Sequence, residues 1–117
     1  MPENCVFCKI IAGSMPAKKV FENEHVLAMH DINPKSPVHV LILPKIHVQT
    51  MTELENPAIC AAMFAATKEL KNTVAKNFEG FNIVCNNGAA AGQSVAHLHW
   101  HFVAGRNIYE SGTKVDL

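Results

Sequence analysis

His97-Leu98-His99-Trp100-His101-Phe102-Val103 places a histidine at every second position, with a large apolar side chain between each pair. In a β-strand successive side chains point to opposite faces, so the imidazoles would share one face, about 7 Å from one to the next. Leu98, Trp100 and Phe102 would then pack on the other face. A helix would instead bring His97 beside His101 and send His99 to the far side. Trp100, Phe102 and Val103 favour the strand, and Gly92 upstream and Gly105 downstream bound it. A half-exposed strand whose polar face merely carries histidine is the plainer alternative. Strict alternation of so uncommon a residue argues against it.

Working outward, Asn86-Asn87-Gly88-Ala89-Ala90-Ala91-Gly92-Gln93-Ser94 is a loop of small residues leading into that strand. Its backbone N–H groups could approach a phosphate without side-chain obstruction, although an ordinary turn has the same composition. Phe81–Cys85 before it reads as another strand. Residues from about 56 to 78 form the one long helix: Ile59, Met63, Ala66, Leu70, Val74 and Phe78 recur at spacings of three and four. Pro57 suits its first turn and Gly80 its end. Val38-His39-Val40-Leu41-Ile42-Leu43, closed by Pro44, is nearly all apolar and reads as a central strand buried on both faces.

Asp31–Pro37 carries two prolines, an asparagine and a serine, and is a loop. Val20–Glu22 and His25–His30 form a hairpin turned at Asn23-Glu24. Cys5–Ile11 begins the chain with a short helix stopped by Gly13. Strands, one long helix, then more strands indicate an α+β fold with a mainly antiparallel sheet, expected as a single domain over 1–117.

The chain has 117 residues, 49% hydrophobic and 17% charged, with Lys+Arg 10 balancing Asp+Glu 10. A binder of nucleic-acid polymers would carry a basic excess, so long polymers are not expected as partners. No secretory signal and no apolar run of about 20 residues is present, which predicts a cytoplasmic protein without a membrane partner. The four cysteines suit thiols or metal ligands better than a disulfide framework. Cys5-x-x-Cys8 is a zinc half-site or a redox pair, and no βαβ context supports the latter. Cys60 and Cys85 read as small buried apolar residues.

The histidine strand, with Gly92-Gln93-Ser94-Val95 before it, closely resembles the signature of the histidine triad (HIT) family. The resemblance extends through Cys5–Ile11, His30-Asp31-Ile32, Val38–His47 and Asn86–His101, and favours the Hint-like branch with a Cys-x-x-Cys N-terminus. It implies a five-stranded antiparallel sheet with one long and one short helix, in a homodimer. The long helix and the Phe81–Cys85 strand would meet the second copy, with the segment after Gly105 reaching toward it. It further implies hydrolysis of nucleotide conjugates through a covalent nucleotidyl-histidine on His99. The other nitrogen of His99 would bond a backbone carbonyl, and His39 would support that relay.

His101 would contact the phosphate and leaving atom, with Ser94 or solvent as the alternative proton donor. Its position holds glutamine in the galactose-1-phosphate uridylyltransferase relatives, so histidine points to water as acceptor. Asn86, Gly92, Gln93 and Ser94 would be phosphate-side contacts, Asp31 would hold the ribose, and Ile32 and Phe7 would wall the base. Family members with zinc assign His47 and His97 as the ligands completing Cys5 and Cys8. That closed site would be structural, with His97 bracing rather than reacting.

The Hint members' tail tryptophan has no counterpart here, the only tryptophan being Trp100. The implied activity is hydrolysis of purine nucleoside 5′-phosphoramidates or related conjugates. The alternatives are a dinucleoside polyphosphate hydrolase and a nucleotide-binding adaptor with vestigial activity.

Overall fold

The computed structural model describes residues 2–110 and 116–117. Helix α1 (Val6–Ile11) is followed by strands β1 (Lys19–Glu22), β2 (Val26–His30) and β3 (Val38–Pro44), helix α2 (Pro57–Asn72), then β4 (Phe81–Val84) and β5 (Trp100–Ala104). The strands form one sheet in the order β1-β2-β3-β5-β4, every neighbouring pair antiparallel. The α+β class and the five-stranded sheet are as the sequence predicts. No helix among the described residues is long and apolar enough to cross a membrane.

Strand β3 lies at the centre and is buried throughout, as its near-continuous apolarity requires. Its alternation splits the core into two layers. Val40 and Ile42 join Val26, Ala28, Leu98, Trp100 and Phe102 beneath α2, which contributes Ala62, Met63, Ala66 and Leu70. Met63 and Leu70 are fully buried, and burial of such side chains stabilises by roughly 1.5–3 kcal/mol each. Leu41 and Leu43 join Leu27 and Met29 on the opposite face, against Cys5, Phe7, Cys8 and Ile10 of the N-terminal segment. The histidines of the 97–101 stretch share this second face.

Two boundaries depart from the sequence expectation by more than one residue. The last strand begins at Trp100 rather than His97, because its ladder with β3 stops at the Ile42–Trp100 pair. Beyond it Pro44 has no N–H to offer, and Leu98 N–H donates instead to Val48 O at 2.7 Å. Helix α2 ends at Asn72, short of the predicted 78. The Thr73 hydroxyl donates back to Glu69 O at 2.8 Å, and Ala75 N–H bonds Leu70 O, loosening the last turn. Val74 and Phe78 still pack on the core. Cys60 and Cys85, expected to be buried, are only partly so.

At its start α2 has Pro57 in the first turn, as read, and the structure adds a cap in which Asn56 Oδ1 accepts from Ala58 N–H at 2.9 Å. Gly105 follows β5 with φ +92°, and a Cβ there would meet Pro37 at 2.9 Å. Only glycine lets the end of β5 lie this close to the loop before β3.

Candidate active site

The shared histidine face divides into two clusters, and their hydrogen bonds assign the tautomers. At the α1 end, Cys5 Sγ, Cys8 Sγ, His47 Nδ1 and His97 Nδ1 lie within 4.8 Å of one another. The separations are 3.5 Å for Cys5–His97, 3.3 Å for Cys8–His47, 3.6 Å for Cys8–His97 and 3.2 Å between the two imidazole nitrogens. A tetrahedron with metal–ligand bonds of about 2.0–2.3 Å has edges of about 3.3–3.8 Å, so the donor set fits a zinc-sized ion.

His97 Nε2–H donates to Pro44 O at 2.9 Å, which leaves its Nδ1 lone pair facing the thiols. Burial pushes the pKa of His97 down to about 4, so the imidazole is neutral at pH 7, as a ligand must be. Burial and its own hydrogen bond to neighbouring Cys5 push the Cys8 thiol up to about 11. A bound divalent cation would reverse that and hold the thiolate. The Cys8 N–H already points at Cys5 Sγ, 3.4 Å away. These four residues could therefore hold a metal.

The second cluster starts one residue along the same face. His99 Nδ1–H donates to His97 O at 2.7 Å, so Nε2 carries the lone pair. Phe7 packs edge-on to the His99 ring at 5.1 Å between centroids. His39 Nδ1 accepts from Lys35 N–H at 3.0 Å, which leaves His39 Nε2 protonated. That N–H donates to His101 Nδ1 at 2.9 Å, with Asp31 Oδ2 3.5 Å from the same nitrogen. His101 must then carry its own proton on Nε2.

Burial lowers the pKa of all three. Nearby Asp31 opposes the shift for each, yet His101 is taken down to about 4 by burial and by the neighbouring His99 and His39. At neutral pH the pair thus offers a lone pair on His99 beside an N–H on His101, their rings 5.1 Å apart.

Both imidazoles line a cavity of about 1020 Å³. Phe7, Ile10, Met29 and Leu41 supply an apolar wall, while Asp31 and Ser94 supply oxygens. Ile32 stands fully exposed at its rim. Asp31 Oδ1 accepts from Asn33 N–H at 2.8 Å, which holds the loop that carries both.

The remaining sequence-predicted contacts lie elsewhere. Asn86 and Gly92 line a separate space of about 440 Å³, where Asn86 Nδ2 donates to Leu117 O at 2.8 Å. Gln93 donates to Gln49 O and Val95 O and accepts from Gly88 N–H, so its amide is committed to bracing the loop. His39 bonds His101, not His99. The sequence reasoning missed Ile10, Met29 and Leu41 as cavity wall, though alternation on β2 and β3 places Met29 and Leu41 on the histidine face. It also missed the roles of Pro44 O and Lys35 N–H, which are backbone groups without a residue-type signal.

The HIT domain family model matches residues 12–108. The chain belongs to the HIT family. This HIT protein is 44% identical over 99 residues to an uncharacterized HIT-like protein of Methanocaldococcus jannaschii, covering 85% of this chain and 77% of the relative. It is 41% identical over 105 residues to the adenylylsulfatase HINT3 of Arabidopsis thaliana, covering 88% of this chain and 53% of that one. With the Cys-x-x-Cys pair assembled at its N-terminus, it is a Hint-like member. Among solved structures, a HIT family hydrolase from Clostridium thermocellum superposes with a TM-score of 0.86 at 38% identity, covering 97% and 100% of the two chains. A Zn-bound histidine triad family protein from Mycobacterium smegmatis superposes with a TM-score of 0.80 at 34% identity, covering 96% and 83%.

Proposed function

We propose that this HIT protein hydrolyses purine nucleoside 5′-phosphoramidates or related nucleotide conjugates through a covalent nucleotidyl-histidine. The observation that carries the reading is the pairing of opposite tautomers in one cavity: a lone pair on His99 Nε2 beside an N–H on His101. His99 Nε2 attacks the α-phosphorus. The bond to the leaving nitrogen breaks with its electron pair on that nitrogen, which takes a proton from His101. His101 gives that proton from Nε2, and the His39 Nε2–H bonded at its Nδ1 stabilises the electron pair left on the ring. Water then attacks phosphorus, restores His99 and returns one proton to His101.

Asp31 accepts from ribose hydroxyls, while Phe7 and Ile32 enclose the base. Ser94 contacts the phosphate from the cavity side; Asn86, Gly92 and Gln93 shape the loop that carries it. His39 holds the tautomer of His101.

Adenylyl sulfate is a second substrate class, suggested by the name of the Arabidopsis relative. Cys5, Cys8, His47 and His97 would hold zinc as a brace, a reading supported by the donor separations and by the Zn-bound neighbour. With an ion bound, these four residues would tie the N-terminal segment to the histidine stretch and take no part in the steps above. Two copies pair through the β4 edge and α2, where Phe64, Phe81 and Ile83 are exposed. The buried Trp100 indole N–H beneath Phe64 has no hydrogen-bond partner among the described residues, and a second copy could supply an acceptor.

Steady-state turnover of adenosine 5′-phosphoramidate beside dinucleoside polyphosphates tests the reading. Preferred release of ammonia and AMP is the expected result. Nucleotide binding without turnover of either class would refute it.

A further inference from the structure

We propose that Arg106 is a positioning residue that fixes the proton on His101 from outside the cavity. Arg106 is exposed, just past the close contact of Gly105 with Pro37. Its Nη1 donates to Lys35 O at 2.9 Å, across 71 positions of sequence. Lys35 is the residue whose N–H occupies His39 Nδ1. With Nδ1 accepting, His39 must donate from Nε2 to His101 Nδ1, and His101 must present N–H at its far nitrogen. The guanidinium thus acts through three successive hydrogen bonds on the polarity of a group it never touches.

Without that anchor the Lys35 backbone can rotate and release His39 Nδ1. His39 can then carry its proton on Nδ1 and accept at Nε2. His101 Nδ1 becomes the donor and its Nε2 a lone pair. The cavity would hold two lone pairs, on His99 and His101, where it had a lone pair and an N–H. Asp31, 3.5 Å from His39 Nε2, favours the original arrangement, so loss of Arg106 shifts the population without abolishing it. Ser36, whose hydroxyl donates to Val38 O, holds the far side of the same loop.

The inference rests on the proposed chemistry for its consequence, and its test separates the two. Long-range ¹⁵N–¹H spectra of the imidazoles are recorded on the full chain, prepared with zinc, for the wild type, Arg106→Ala and Arg106→Lys. The wild type should show His101 Nδ1 without a proton. Arg106→Ala should move part of the population to the Nδ1–H form, and Arg106→Lys, which keeps a donor, should largely restore it. On adenosine 5′-phosphoramidate, kcat of Arg106→Ala should fall about three- to tenfold with KM little changed, the range one exposed charge-assisted hydrogen bond supports. Identical His101 shifts in wild type and Arg106→Ala would overturn the proposal. A wild type inactive on every nucleotide would defeat the functional reading instead, leaving the imidazole shifts to decide the role of Arg106.

Discussion

The two imidazole clusters occupy neighbouring positions on one sheet face, yet their protons are arranged oppositely. At His97 the inward nitrogen is an acceptor, because Pro44 O takes the Nε2 proton and leaves Nδ1 bare among two thiols and His47. Around His39 the rings form a directed chain, each accepting a hydrogen bond at Nδ1 and carrying its proton on Nε2. Asp31, His39 and His101 also lie within metal-binding reach of one another. The N–H on His39 Nε2, set by Lys35, points where a cation would sit. Ligand residues at suitable distances are therefore not enough. Backbone carbonyls and amides at the outer nitrogens set which cluster could hold a metal and which could move protons.

Replacing His99 should produce the largest effect. His99→Ala should lower turnover by about 10³-fold or more, since it removes the attacking nitrogen. Nucleotide binding should persist, because Phe7, Asp31 and Ile32 remain. Rapid-quench assays and equilibrium binding measure the two halves, and equal losses in both would break the distinction between reacting and bracing histidines.

Next in size is the metal cluster. Cys5→Ala with Cys8→Ala should cost roughly 4 kcal/mol of stability or more, in line with loss of a closed structural site. Bound zinc should fall from one per chain to none, with the chemical step of the folded fraction changed far less. Thermal unfolding with metal analysis checks this. A second zinc retained by the double variant would place an ion in the His39 cluster and undo the contrast.

The smallest effect sharpens the role of His101. His101→Gln should slow adenosine 5′-phosphoramidate hydrolysis by about 10²-fold, the scale of losing one general acid. Adenylyl sulfate should be slowed much less, since sulfate departs without needing a proton. Parallel kcat/KM measurements on both substrates give the ratio, and equal slowing would mean His101 serves the phosphate rather than the leaving atom.

Period-two alternation makes the sorting of faces legible in the sequence. His97, His99 and His101 on one side and Leu98, Trp100 and Phe102 on the other follow from strand geometry. The central burial of β3 was equally plain from Val38–Leu43. What stayed hidden depends on backbone groups. Leu98 N–H pairs with Val48 O outside the ladder, His39 reaches His101 rather than His99, and Arg106 meets Lys35 O across most of the chain. No residue type at those positions announces where a carbonyl or amide will point. The early end of α2 has a similar source, a Thr73 hydroxyl competing for a helix carbonyl.

The most direct test of the central claim is the chemistry of the trapped intermediate. Rapid quenching during turnover of adenosine 5′-phosphoramidate, followed by peptide mass spectrometry and assignment of the linkage, reads out both residue and atom. The hydrogen bond from His99 Nδ1–H to His97 O predicts a single nucleotidyl group on Nε2 of His99. Attachment at Nδ1 of His99, or at any other residue, would contradict the account.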